Sequence, residues 1–280
     1  MLRSSNPILS KKDAFTPAAP QYGQPYGQQP YQGYPGQGGF GGPQDPRTDA
    51  PQTLQGRMTL DDVITKTAVT IAVLVVTAAL AWNLVPDSLY FPAMILSALV
   101  GFGVVLLVSF RRVVSPALVV LYAAIEGVFI GMISKVFESV YTGIVAQAVV
   151  ATFVAAGVTL AAYKFFNIRV TAKFTKIVFI STAAFAGLML VNFIFSLVTG
   201  SGGLRSGITG PVSGLSILVS AVAIVLAVLN LVLDFDYVER GIEMGAPANE
   251  SWRAAFGLTV TIIWIYIELL RLLAILRGND

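Results

Sequence analysis

From Met58 to the C-terminus the chain is a succession of hydrophobic stretches, each near the roughly 20 residues that a helix needs to cross a bilayer. The spans read as Thr67–Leu84, Phe91–Phe110, Pro116–Val136, Tyr141–Tyr163, Ile177–Thr199, Val212–Leu233 and Ala254–Leu276. Turn and breaker residues fall between them: Pro86-Asp87, Ser115-Pro116, the glycine-rich segment from Gly200 to Pro211, and Gly245-Ala246-Pro247. The expected fold is an all-α integral membrane protein, a bundle of seven transmembrane helices over residues 57–280. Thr59-Leu60-Asp61-Asp62 reads as a helix start, with a capping hydroxyl and two carboxylates at the positive end of the dipole, so the first helix is expected to begin ahead of the membrane.

Residues 1–56 follow a different rule. Gln, Tyr, Gly and Pro recur there without a hydrophobic period, a composition that cannot bury a core, and this tail is expected to be disordered. It contains no apolar signal-peptide core, which assigns it to the cytoplasmic side. Its tyrosine-rich repeats offer a surface for self-association or for a membrane-protein partner.

Basic residues orient the bundle. With the N-terminus inside, the inner loops hold Arg111, Arg112, Lys164, Arg169, Lys173, Lys176, Arg240 and Arg253, whereas the outer loops hold Lys135 and Arg205. Seven spans then put the C-terminus, with Arg277, outside, unless the last helix re-enters instead of crossing.

Only 12% of the residues are charged, and the chain has neither Cys nor His. The missing residue types exclude thiolate chemistry, His-based zinc sites and Ser-His or Cys-His dyads. The protein is therefore not expected to be an enzyme or to carry a cofactor. The modest formal charge of +3 makes nucleic acid a poor partner. An aspartyl intramembrane hydrolase is disfavoured because no Gly-x-Gly-Asp motif occurs and Asp234 lies in Val232-Leu233-Asp234-Phe235.

Ionisable residues inside the spans are the candidate functional groups, since each costs on the order of 2.5–3.5 kcal/mol at a helix centre. They are Glu126 in the third span, Asp234 and Asp236 at the end of the sixth, and Glu268 and Arg271 in the seventh. Glu268 and Arg271 are three residues apart and share a helix face, which permits either a structural ion pair or a polar interior where Glu268 shares a proton or cation and Arg271 competes. Asn230 and Asp234, four apart, also share a face, while Asp236 points about 200° away and continues into the polar run Glu239, Arg240 and Glu243, suited to a solvated interface. Glu126 precedes Gly127 and Gly131, whose spacing allows close helix approach. Its carboxylate either meets a neighbouring helix or lines a wet cavity.

The blocks Leu233-Asp234-Phe235-Asp236-Tyr237-Val238-Glu239, Tyr266-Ile267-Glu268-Leu269-Leu270 and Ile125-Glu126-Gly127-Val128-Phe129-Ile130-Gly131 resemble the Bax inhibitor-1/YccA family, also called the transmembrane Bax inhibitor motif family. The resemblance covers about residues 58–277 and is nearest the actinobacterial branch, where a Gly-, Gln- and Pro-rich leader precedes the membrane domain. It implies a central seventh helix surrounded by the other six, a bacterial plasma-membrane location, and a pH-sensitive Ca2+ leak. It also implies a hydrogen-bonded carboxylate pair that senses protonation and transiently meets Ca2+. Asp234 matches the first member and Glu268, in Tyr266-Ile267-Glu268, the second. Here Glu replaces the family's usual Asp, and Arg271 stands where many relatives have an uncharged polar residue. Two carboxylates held close in low dielectric would share a proton when acid and separate when it is lost, attracting a cation that favours oxygen ligands. A cation/proton exchanger and a regulator of membrane proteins, for example of a membrane protease, are the competing expectations.

Overall fold

The computed structural model describes residues 56–200 and 214–278. The expected disorder of the tail, the glycine-rich loop ahead of the sixth span and Arg205 lie outside these residues. Among them, seven helices are long and apolar enough to cross a membrane. They are α1 (Leu60–Leu84), α2 (Tyr90–Phe110), α3 (Pro116–Val140), α4 (Ile144–Phe165), α5 (Ala172–Thr199), α6 (Gly214–Glu243) and α7 (Glu250–Arg277).

Every expected span is present, and several helices outrun it. Helix α1 starts seven residues ahead of Thr67, where Thr59 caps it by accepting a hydrogen bond from the Asp62 amide at 3.2 Å. Thr171 caps α5 in the same way, through the Phe174 amide. The largest extension is in α6, which continues past the expected end at Leu233 to Glu243. Hydropathy marks the membrane-compatible core, whereas backbone hydrogen bonding continues into the polar interface.

Helix α7 packs against α1, α3, α4 and α6, while α2 lies on α3 and α5 on α6. In its most apolar stretch 61% of the residues are buried, against 17% in α1, α2 and α5. The seventh helix is thus central. By backbone approach its ring of neighbours is four helices, while α5, packed on α6, reaches it through side chains such as Phe185 on Trp264. This is why α7 tolerates Glu268 and Arg271: both face protein rather than lipid, at 1% and 4% exposure. Conversely, Phe102, Phe153, Phe179 and Val198 are exposed, forming the apolar exterior that a bilayer would solvate.

The crossing of α1 with α3 depends on two glycines. A Cβ on Gly127 would stand 2.5 Å from the Leu74 carbonyl oxygen, and one on Gly131 would fall on the Ala78 carbonyl oxygen. Backbone meets backbone here, as the Gly127–Gly131 spacing predicts.

The basic loops gather at one end. Arg253 reaches the Arg112 and Arg111 carbonyls at 2.6 and 3.2 Å, joining the α6–α7 and α2–α3 connections. Arg240 donates to the Val170 carbonyl of the α4–α5 connection at 2.7 Å, and the Met58 amide donates to the Ala246 carbonyl at 2.7 Å. At the other end Lys135, one turn inside α3, donates to the Trp82 carbonyl at 3.0 Å and lies 3.6 Å from Asp87. Arg277 donates there to the Thr142 carbonyl at 2.8 Å.

Candidate functional site

The extension of α6 carries Asp234 into the body of the bundle. Its Oδ2 accepts a 2.6 Å hydrogen bond from the Thr261 hydroxyl of α7. Gly257, one turn earlier, keeps the contact close, because a Cβ there would stand 3.2 Å from Asp234 Oδ1. The carboxylate opens on a cleft of about 220 Å³ lined by Ser109, Tyr237, Arg253 and Phe256, at the basic end. Glu250 organises the mouth, accepting 2.8 Å hydrogen bonds from Arg253 Nε and from the Tyr237 hydroxyl.

Glu268 lies seven residues beyond Thr261, two turns or about 10 Å along the helix. Their attachment points on α7 are thus two turns apart, and the Asp234 carboxylate is engaged by the Thr261 hydroxyl. No group of three or more His, Cys, Asp or Glu residues able to hold a metal occurs among the described residues.

Helical geometry nevertheless aligns the two levels. Arg253, Gly257, Thr261, Glu268 and Arg271 fall within an arc of about 80° on α7, forming a polar file that runs from the basic end toward the opposite one. Near its far end Arg271 Nη2 donates to Ser216 Oγ of α6 at 2.7 Å.

The remaining candidates diverge from this file. Asn230 shares a helical side with Asp234 but donates at 2.7 Å to Thr182 of α5, tying α6 outward rather than joining the carboxylate. Asp236 is not on a freely solvated face: its side chain is 15% exposed and ion-paired with Arg240 at 2.9 Å. Glu126 meets a neighbouring helix, its Oε2 lying 2.7 Å from where a Cβ on Gly101 of α2 would stand, away from the α6–α7 file. A larger groove of about 450 Å³ among α1, α3, α4 and α7 is lined by residues such as Leu74, Ile130 and Phe153 and holds no carboxylate. It lacks the charges of the Asp234 cleft.

Thr261, Arg253 and Tyr237 were not among the sequence candidates. The Gly257–Thr261 spacing on α7 was the available signal, a small residue and a hydroxyl one turn apart on the face of Glu268. Thr261→Val removes the hydroxyl while keeping its shape, and is expected to lower stability by about 1–2 kcal/mol. Thermal unfolding in detergent measures this, with Thr261→Ser, which keeps the hydroxyl, recovering most of the loss.

The sequence pattern of the family described as Bax inhibitor 1 like matches residues 6–278. The chain belongs to the Bax inhibitor 1-like family. The match begins well ahead of residue 58, so the Bax inhibitor 1-like pattern extends into the tail that the residue blocks had left out. Comparison with curated proteins finds no match.

Proposed function

We propose that this Bax inhibitor 1-like protein is a non-enzymatic, pH-sensitive cation leak pathway of the bacterial plasma membrane, with Ca2+ as the permeant ion. Its N-terminus is cytoplasmic in this reading, supported by the gathering of basic connections at the end bearing the Asp234 cleft. The observation that carries the reading is the polar file on the most buried helix, with Asp234 engaged at Thr261 and Glu268 two turns beyond. Ionisable groups in a membrane interior are costly, and their alignment along one face is economically explained by an ion path.

Each carboxylate then acts as a separate station. In its ionised form it attracts a partly dehydrated cation; once protonated it offers no net charge and the step is lost. Flux therefore rises with pH through the range in which these groups ionise. Residence is brief because each station supplies one carboxylate rather than a complete coordination shell.

Reconstitution in liposomes with an entrapped Ca2+ indicator tests this. Wild-type flux is expected to increase from acidic to alkaline pH, whereas Asp234→Asn and Glu268→Gln each lower it severalfold and flatten the profile. Unchanged flux and pH dependence in both variants would remove the carboxylates from the pathway.

A further inference from the structure

The polar file is interrupted at one depth, and the same interruption occurs on three helices. On α7, Trp264 separates Thr261 from Glu268 and Arg271. On α6, Leu226 and Ala223 separate Asn230 from Ser220. On α5, Phe185 and Met189 separate Thr182 from the buried Asn192. In each helix the outer limits, Thr261 to Arg271, Asn230 to Ser220 and Thr182 to Asn192, are ten residues apart, about 15 Å.

The intervening side chains form one apolar cluster. Phe185, Ala223 and Leu226 are buried, and Met189 and Trp264 pack against them. The Phe185 and Trp264 rings stack with centroids 6.0 Å apart and planes at 28°. Below the cluster the polar groups are paired across helices, Asp234 with Thr261 and Asn230 with Thr182. Above it, Arg271 is bonded to Ser216, and the fully buried Ser220 hydroxyl has no hydrogen-bond partner among the described residues.

We propose that Trp264, braced by Phe185, is the closed gate of the ion path: an apolar collar between the polar cleft at Asp234 and the buried polar cluster of Glu268, Arg271 and Ser216. The inference rests on the reading of the bundle as a cation pathway. An apolar constriction resists wetting, so a hydrated cation that has passed Asp234 meets only apolar side chains on the turn beyond Thr261, Asn230 and Thr182. The stacked indole supplies the largest part of that barrier, and opening requires Trp264 to swing away from Phe185. The carboxylates attract the ion on either side, whereas the collar decides whether it crosses.

Two measurements test the gate separately from the pathway. In Ca2+-loaded liposomes Trp264→Ala is expected to raise the initial flux severalfold, with Trp264→Phe close to wild type. Phe185→Ala, which keeps the indole but removes its brace, gives an intermediate increase and covers the case in which Trp264→Ala fails to fold. The chain has no cysteine, so single cysteines report water access without background. A membrane-impermeant thiol reagent is expected to label Ser109→Cys from the face bearing the Asp234 cleft and to leave the fully buried Ser220→Cys unlabelled from that face. In the Phe185→Ala or Trp264→Ala background, Ser220→Cys becomes reactive from the cleft face. Labelling of Ser220→Cys from the cleft face in the otherwise unmodified protein would overturn the collar, whatever the flux. Conducting wild-type protein with no increase in either gate variant would overturn it while leaving the pathway standing. Silence of every protein in the flux assay would overturn both.

Discussion

Gly131→Val is expected to force α1 from α3 and destabilise the bundle by about 3 kcal/mol or more, the upper range for overpacking, because the obstacle is backbone. The added Cβ falls on the Ala78 carbonyl oxygen, and no rotamer change can relieve that contact. Gly127 is similarly confined by the Leu74 carbonyl, so α1 cannot pivot about one crossing point to accommodate the other. Inside a membrane, moreover, helix association depends on close packing, since lipid solvates apolar side chains as well as a neighbouring helix does. The same substitution at Gly157, on the open side of α4 with nothing within 4 Å of an added Cβ, is expected to cost less than about 0.5 kcal/mol. Thermal unfolding and size exclusion of the two variants in one detergent measure the difference. Equal stability of the two would contradict the α1–α3 crossing.

Glu268→Lys is expected to abolish the folded protein, whereas Glu268→Gln leaves it folded. Position 268 is 1% exposed and Arg271 stands one turn away on the same face at 4% exposure. The substitution removes a buried negative charge and sets an ammonium beside a guanidinium in a site with little access to water. Breaking buried charge compensation costs on the order of 3–5 kcal/mol, and like-charge repulsion adds to it. Arg271 is also held by Ser216 of α6, so it cannot retreat without losing that bond. Gln also removes the negative charge and bears the first of these costs, but it keeps the size and hydrogen-bonding capacity of Glu and introduces no second cation. The yield and monodispersity of the two variants give the readout. A well-folded Glu268→Lys protein would show that this part of α7 is far wetter than its burial implies.

Seven spans were legible in the sequence because each must contain enough apolar residues to match the bilayer, and that requirement is local. The ends were less legible. Leu60–Lys66 and Asp234–Glu243 are too polar for a membrane segment, yet they continue the helical hydrogen bonding of α1 and α6. Gly127 and Gly131 announced close packing, although nothing local says that the partner is α1. Asp234 and Glu268 were visible as costly charges, on the helices that became α6 and α7. The partner of Asp234 on α7 was not visible, because it depends on how far α6 slides along α7. That register gives Asp234 to Thr261. Asn230 shows the same limit: its spacing from Asp234 was correct, but its partner on α5 follows from where that helix packs. The family assignment was legible in short residue blocks, while the Trp264–Phe185 contact required three helices to be seen together.

The central claim, passive cation movement along α7, is tested most directly by ion flux through purified wild-type protein in liposomes under imposed Ca2+, Na+ and proton gradients. The account predicts that a Ca2+ gradient dissipates without an opposing proton gradient, faster at alkaline than at acidic pH, and that protein-free liposomes retain it. Absence of Ca2+ movement at every pH, or movement that occurs only in strict exchange for protons, would contradict it.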